Sequence, residues 1–222
     1  MNSDAKNNAY TQADIDTVYR VIAERRDMRH FCGGEVPHET LMKLLGAAHL
    51  APSVGLMQPW RFIRIQNPEL RNSLYNTVQE ERIKTAHALN EREDEFMRLK
   101  VEGIKDCAEL IVVALMDQRE KHIFGRRTLP QMDLASASCA IQNLWLAARA
   151  EGLGMGWVSL FDPEQLMHLL NMPSGSLPIA ILCLGPVDEF YPRPMLETEQ
   201  WATRKDLEQL IMHDGWQDWE QV

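Results

Sequence analysis

The stretch AIQNLWLAARAEGLGMGWVSLFDP, residues 140–163, runs from a helix through a series of glycines into a strand and then into a second helix. Its first half completes an apolar helix, residues 132–151, that ends at Gly152. A strand is predicted for residues 155–160, and Asp162-Pro163 begins a short helix. Glycines of a dinucleotide fingerprint follow a strand and precede a helix, which is the reverse of the order found here. These glycines instead indicate that another part of the backbone approaches the strand closely.

The rest of the chain mixes helices with a few strands. Further strands are predicted at residues 61–66, 109–116 and 178–184, and helices at residues 11–25, from near Pro37 to before Pro52, across most of 69–106, and at 203–212. The long apolar helix 132–151 requires cover on every side, either as the hub of the core or as part of a dimer interface. We therefore expect one α+β domain, residues 15–222, after a flexible N-terminus, residues 1–14.

Composition and charge exclude several classes of protein. The chain has 222 residues, 45% of them hydrophobic, and a formal net charge of −9, so it lacks the general basic surface that nucleic-acid binding requires. The four cysteines form no C-x-x-C pair and the seven histidines are scattered, so we predict neither a disulfide scaffold nor a metal site. No apolar run reaches the ~20 residues that span a bilayer, and the N-terminus lacks a signal-peptide core. We expect a cytoplasmic protein.

Three arginines cluster where the first predicted helix ends. Arg25, Arg26 and Arg29 lie in the sequence RRDMR, just before the turn at Gly33-Gly34. Arginine recognises phosphate through several donors at once, although a solvated helix end is the commoner reason for such spacing. Asp27 lies among these cations, where a carboxylate either forms structural ion pairs or accepts a proton from a ligand hydroxyl group.

Two loops supply further candidates. The loop APSVGLMQPW, residues 51–60, carries Ser53 and Gln58, which could bind the polar edge of a ring or simply cap a turn beside a buried indole. Ser159 lies at the end of the strand predicted for residues 155–160, just before the helix start at Asp162. Strand ends beside helix starts often carry ligand contacts, because free N–H groups point outward there.

Taken in this order, the three stretches resemble the nitroreductase-like flavoprotein family. Residues 25–29 match its R-R-S-x-R motif, residues 52–60 match its P-S-x-x-x-x-Q-P-W loop, and a long helix leads to a glycine-rich strand. The resemblance covers about residues 15–210. It implies an α+β nitroreductase-like fold, with a central, mostly antiparallel sheet flanked by helices, a homodimer, and bound FMN.

Two positions narrow the resemblance to the 5,6-dimethylbenzimidazole synthase branch of that family. Asp27 occupies a position where ordinary nitroreductases usually carry serine, and Ser159 one where many carry an acidic residue. The branch implies that reduced FMN is the substrate and that dioxygen fragments it to 5,6-dimethylbenzimidazole and erythrose 4-phosphate, for cobalamin biosynthesis. NAD(P)H would act only indirectly, through a separate flavin reductase.

The resemblance also implies a role for each candidate residue. Asp27 would be the catalytic base, and Ser159 would donate a hydrogen bond near the flavin N5. The implied flavin contacts are Arg25, Arg26, Asp27, Met28 and Arg29 at the phosphate, ribityl chain and ring edge, Arg204 at the phosphate, Lys100 at the pyrimidine side, the Leu160 N–H near N5, and Ser53 with Gln58 across the dimer interface.

Two other functions stay open. An NAD(P)H-dependent nitroreductase or flavin reductase would share the fold and the phosphate site but would keep FMN intact. A non-catalytic flavin-storage or flavin-sensing protein would bind FMN without consuming it or oxidising NADPH.

Overall fold

Four strands form one antiparallel sheet in the order β1-β2-β4-β3. The structure is a computed structural model that describes residues 8–216. Its strands are β1 (Trp60–Arg64), β2 (Glu109–Leu115), β3 (Gly154–Val158) and β4 (Leu177–Gly185). Its α-helices are α1 (Gln12–Glu24), α2 (His38–His49), α3 (Pro68–Ala88), α4 (Glu93–Arg98), α5 (Met132–Ala150), α6 (Pro163–Leu169) and α7 (Met195–Thr198). The expected α+β fold with a central antiparallel sheet is confirmed.

Helices cover both faces of the sheet. Successive side chains of a strand point to opposite faces, so Ile111 and Val113 of β2 pack into a core shared with α2 and α5. Leu110 and Val112, on the opposite face, pack into a second core shared with α3 and α6. Every residue of β2 is buried, as the uninterrupted apolar run LIVVAL, residues 110–115, predicts for a strand covered on both sides.

Helix α5 is the hub of the first core. Its buried face includes Ala137, Ala140, Ile141 and Leu144, and the small residues let α2 pack closely against it. The expectation that this helix is a core element is confirmed. Its N-terminal end also carries Leu134, which is 41% exposed.

The N-terminal helix begins earlier than the domain boundary that we expected. Thr11 caps α1 by accepting a hydrogen bond from the Asp14 N–H at 3.3 Å, and the helix starts at Gln12. Residues 12–14 are therefore helical, although they belong to the segment expected to be flexible. Residues 1–7 and 217–222 lie outside the described part of the chain, so the expectation for both ends of the domain stays a prediction there.

The helix predicted for residues 203–212 is wrong. Only a short 3-10 turn, Leu207–Leu210, forms there. Leu207 is 70% exposed and Leu210 is 52% exposed, so this segment has no apolar face against the core. Short helices in water depend on such packing more than on their intrinsic propensity. The charge-rich region 69–106 is helical over α3, a 3-10 turn at Asn90–Arg92, and α4, and the chain leaves the helix after Arg98.

Candidate functional site

The segment that carries the arginine cluster lies directly against strand β3. Asp27 forms a parallel bridge with Met155, and the Met28 N–H donates to the Met155 carbonyl at 3.0 Å. A Cβ atom on Gly156 would lie 2.2 Å from the Met28 carbonyl oxygen, so only glycine allows this approach. A Cβ atom on Gly154 would lie 2.4 Å from Val187 Cγ1 and 3.2 Å from Met28 Cγ. The close backbone approach predicted from the alternate glycines is therefore present.

This docking fixes the Asp27 carboxylate. Its Oδ1 accepts a hydrogen bond from the Trp157 N–H at 3.0 Å, and its Oδ2 accepts one from Arg29 Nη2 at 2.5 Å. The same Nη2 also donates to the Trp157 carbonyl at 2.8 Å. Arg29 is buried, and its Nη1 has no hydrogen-bond partner among the described residues. A buried donor without a partner is costly, which makes this nitrogen a candidate contact for a bound acceptor.

Burial in the site raises the pKa of Asp27 above its ordinary value. Arg29, the Trp157 N–H and Arg25 favour the carboxylate form and offset part of that rise. About 42% of the Asp27 side chain still remains accessible. The group is thus a positioned carboxylate that is partly withdrawn from water and open on one side.

Asp27 opens into two adjoining cavities. The outer cavity, about 390 Å³, is lined by three of the predicted basic residues, Arg25, Arg26 and Arg204. The inner pocket, about 190 Å³, is lined by Arg29, Ser159 and Leu160 together with aromatic residues. Both cavities share Asp27, Met195 and Leu196 as lining residues, so they adjoin, and we call the two together the cleft.

The outer cavity has two cations suited to an anionic ligand. The Arg25 guanidinium stacks over the Trp145 ring, with its Cζ 4.6 Å from the ring centroid, and makes no hydrogen bond to a described residue. Desolvation lowers the pKa of Arg25, although Asp27 partly opposes this effect. Arg204 is 78% exposed and lies 3.9 Å from the Glu197 carboxylate. Arg26 differs from both, since its guanidinium donates to backbone carbonyl groups.

The inner pocket combines apolar walls with free polar groups. Phe96 and Trp201 form one wall, with ring centroids 6.0 Å apart. Ser159 and Leu160 follow the end of β3 on the other side, as the sequence predicts. Neither the Ser159 hydroxyl nor the Leu160 N–H donates to another described residue. Both groups are therefore available to a ligand in this pocket.

Four predicted residues do not line the cleft: three lie elsewhere in the described chain, and the fourth, Met28, is buried. Ser53 Oγ accepts from the Gln58 N–H at 3.0 Å, and Gln58 lines a separate hollow beside His49 and Trp60. Lys100 forms an ion pair with Asp106 at 2.8 Å and lines a neighbouring cavity. The structure thus unites Arg25, Arg26, Asp27, Arg29, Ser159, Leu160 and Arg204 within one chain, whereas these three residues lie outside the cleft. Met28 is fully buried against β3.

Sequence reasoning missed several residues that line the cleft. Gln142 projects from α5 into the outer cavity, and Phe96, Met195 and Trp201 line the inner pocket. Gln142 carried a usable signal, because it is an amide within an apolar helix. The other three are apolar residues in polar segments, a pattern too common to indicate a ligand site.

Residues 8–216 contain neither a candidate metal site nor a candidate membrane-spanning helix. No group of three or more His, Cys, Asp or Glu side chains there has the arrangement of a metal site. None of the helices in that range has both the length and the apolar character needed to cross a membrane.

The chain is similar to known proteins in sequence and in fold. The nitroreductase family matches residues 22–186. A protein named 5,6-dimethylbenzimidazole synthase from Rhodospirillum rubrum is 40% identical over 184 residues, which cover 82% of this chain and 87% of that protein. A synthase of the same name from Rhodobacter capsulatus is 34% identical over 194 residues, which cover 86% of this chain and 94% of that protein.

Solved structures show the same fold at lower identity. Iodotyrosine deiodinase bound to FMN and 3-iodo-L-tyrosine gives a TM-score of 0.68 at 23% identity, covering 89% of this chain and 98% of that one. A BluB-like flavoprotein from Clostridium difficile gives 0.65 at 18% identity, covering 85% and 99%. The family match and the two synthase relatives each cover most of the chain, which therefore belongs to the nitroreductase family of flavin-dependent oxidoreductases.

Proposed function

We propose that the protein is a 5,6-dimethylbenzimidazole synthase. In this reaction reduced FMN and dioxygen give 5,6-dimethylbenzimidazole, erythrose 4-phosphate and a third fragment that carries the remaining atoms of the pyrimidine ring, for cobalamin biosynthesis. The names of the synthase relatives support the assignment. The main structural support for this assignment is the carboxylate of Asp27, which is fixed, partly desolvated and placed at the junction of the outer cavity and the inner pocket. A nitroreductase that only passes electrons has no need of a base at this position.

The residues of the cleft fit FMN. A phosphate ester matches the outer cavity, where Arg25 makes no hydrogen bond to a described residue and Arg204 is largely exposed. A flat apolar ring matches the inner pocket with Phe96 and Trp201. The partnerless Nη1 of Arg29 supplies a donor for a polar ring edge after a small shift. We assign Arg25 and Arg204 to the phosphate on this basis.

Asp27 is the proposed base. Reduced FMN, when bound, supplies the electrons and the carbon skeleton. Because burial raises the pKa of Asp27, its carboxylate is a stronger base than a free aspartate. Arg29 and the Trp157 N–H hold it in one orientation, and Asp27 lines both cavities of the cleft. Ser159 and the Leu160 N–H are the proposed donors near the flavin N5.

Ser53 and Gln58 are proposed to complete the site from a second subunit. They lie outside the cleft of their own chain. The loop that carries them bears Leu56, which is 77% exposed, and it packs beside Phe124, which is 84% exposed. Exposed apolar side chains of this size favour a protein interface. A homodimer would bury them and bring the loop to the partner's cleft. Lys100 could reach a flavin only by leaving its ion pair with Asp106.

The test is aerobic incubation with FMN, NADH and a separate flavin reductase, followed by mass analysis for 5,6-dimethylbenzimidazole. The wild-type protein should form the product, and Asp27→Asn should bind FMN without forming it. Asparagine keeps an oxygen that accepts from the Trp157 N–H, so the fold should be retained. Asp16→Asn, which alters an exposed carboxylate on α1, is the matched control.

Two results would contradict this proposal. Normal product formation by Asp27→Asn would remove its role as the base. Rapid NADPH oxidation with a nitroaromatic acceptor, with intact FMN and no benzimidazole from reduced FMN, would favour the nitroreductase alternative.

A further inference from the structure

The second arginine of the RRDMR cluster is occupied by backbone carbonyl groups. Arg26 Nε donates to the Tyr191 carbonyl at 3.0 Å, and Nη2 donates to the Pro192 carbonyl at 3.1 Å. Nη1 donates to the carbonyls of Ala23 at 2.7 Å and of Arg25 at 2.8 Å. A guanidinium group has five N–H donors, so these four hydrogen bonds leave Arg26 little capacity for a ligand phosphate.

The Tyr191 side chain binds the same segment from the other side. Its hydroxyl oxygen accepts from the N–H groups of Arg29 at 3.1 Å and His30 at 3.2 Å. It also lies 2.6 Å from His30 Nδ1. A hydroxyl group has one donor and two acceptor lone pairs. Since both lone pairs are in use, the hydroxyl donates to Nδ1, and the ring proton of a neutral His30 lies on Nε2.

These contacts join two segments that are far apart in sequence. We call the five hydrogen bonds between residues 26–30 and residues 191–192 the latch. On one side the latch adjoins Asp27. On the other side the chain continues to Met195 and Leu196, which line both cavities, and then to Trp201 and Arg204. The latch therefore sets the distance between the two walls of the cleft.

Arg25 provides the contrast. It is adjacent in sequence and lines the same cavity, but its guanidinium stacks on Trp145 and makes no hydrogen bond to a described residue. Its donors are free for an anion, whereas most donors of Arg26 are not.

We propose that the two neighbouring arginines have different roles. Arg25 contacts the phosphate of the flavin nucleotide. Arg26 and Tyr191 are positioning residues that keep the two walls of the cleft, one on each side of the latch, at a fixed distance from each other. This inference rests on the proposed binding of FMN but not on the proposed fragmentation chemistry. It also changes the role that family resemblance assigns to Arg26.

FMN and riboflavin separate the two roles, because they differ only by the phosphate. The dissociation constant of each flavin is measured by fluorescence quenching for the wild type, Arg25→Ala, Arg26→Ala and Tyr191→Phe. Arg25→Ala should weaken FMN about tenfold or more and leave riboflavin nearly unchanged. Arg26→Ala and Tyr191→Phe should weaken both flavins roughly fivefold or more, by factors that agree within about threefold.

Two controls keep the test independent of overall stability. Tyr191→Phe removes a single oxygen atom and should speed hydrogen exchange at the Arg29 and His30 amides, which Arg25→Ala should not do. Arg26→Lys keeps the charge but loses the planar donor array. A positioning role predicts that it still weakens both flavins, whereas a phosphate ligand predicts that it keeps the preference for FMN.

Selective loss of FMN binding in Arg26→Ala would overturn the inference, as would unchanged affinity for both flavins in Arg26→Ala and Tyr191→Phe. A wild-type protein that binds neither flavin would contradict both the inferred roles of Arg25 and Arg26 and the proposed function. A wild-type protein that binds both flavins without forming the benzimidazole would contradict only the proposed reaction.

Discussion

Replacing Gly156 by alanine should separate the arginine-bearing segment from strand β3. The added Cβ would lie 2.2 Å from the Met28 carbonyl oxygen, whereas carbon and oxygen normally approach no closer than about 3.3 Å. The backbone must therefore move by about 1 Å. That shift breaks or stretches the Met28 N–H bond to Met155 and the Trp157 N–H bond to Asp27. Overpacking costs about 1–3 kcal/mol and each lost hydrogen bond about 1 kcal/mol.

The expected loss of stability is about 3–5 kcal/mol, or roughly 6–20 °C in Tm for a chain of this length. Thermal unfolding followed by circular dichroism measures it, and flavin titration reports whether Asp27 is displaced. Gly46→Ala is the matched control, because that glycine lies inside α2 and no heavy atom lies within 4 Å of its added Cβ. It should be neutral or stabilising by up to about 1 kcal/mol. Equal stability of the Gly156→Ala and wild-type proteins would refute the close packing of this segment on β3.

Two further predictions concern charged groups. Because folding raises the pKa of Asp27, its carboxyl group favours the fold only when protonated, so this contribution is present below about pH 3.9 and is lost as pH rises through the folded pKa. As pH rises through that window, the wild type should therefore lose stability relative to Asp27→Asn. Denaturant unfolding at several pH values measures the difference in free energy of unfolding between the two proteins. A difference that does not change with pH would contradict the raised pKa of Asp27. Asp133 is buried, accepts a hydrogen bond from Arg119 Nε at 2.9 Å, and forms an ion pair with Arg126 Nη2 at 3.0 Å. Asp133→Asn should lower the free energy of unfolding by about 3 kcal/mol in urea titrations, whereas a loss under about 0.5 kcal/mol would place this cluster with weak surface ion pairs.

The sequence was most informative where a side chain or its absence has one strong physical cause. The uninterrupted apolar run LIVVAL, residues 110–115, predicts a strand covered on both faces, and β2 is such a strand. The glycines of residues 152–156 predict a close backbone approach, and Met28 makes that approach. The predicted helix at 203–212 failed because its pattern resembles an amphipathic helix, yet the chain places no core beside it.

The cleft itself could be predicted only in part. Asp27, Arg25 and Ser159 carry signals in their own motifs, and the structure brings them to one cleft. Trp201 and Met195 carry none, because their role depends on where the chain returns after β4. The local motif of Ser53 and Gln58 does not show that both residues lie outside the cleft of their own chain, and only the family resemblance implies that they contact flavin across a dimer interface.

The two arginines at positions 25 and 26 show why a motif alone does not assign roles. They have the same side chain, adjacent positions and the same cavity, so local sequence gives no reason to separate them. The difference arises from the carbonyls of Tyr191 and Pro192, which lie more than 160 residues away and accept hydrogen bonds from Arg26 alone. A guanidinium that already donates to carbonyls gains less from a phosphate than one whose donors have no partner. The division of labour at this site is therefore a property of the fold, and the ratio of FMN to riboflavin affinity in the two alanine variants measures it directly.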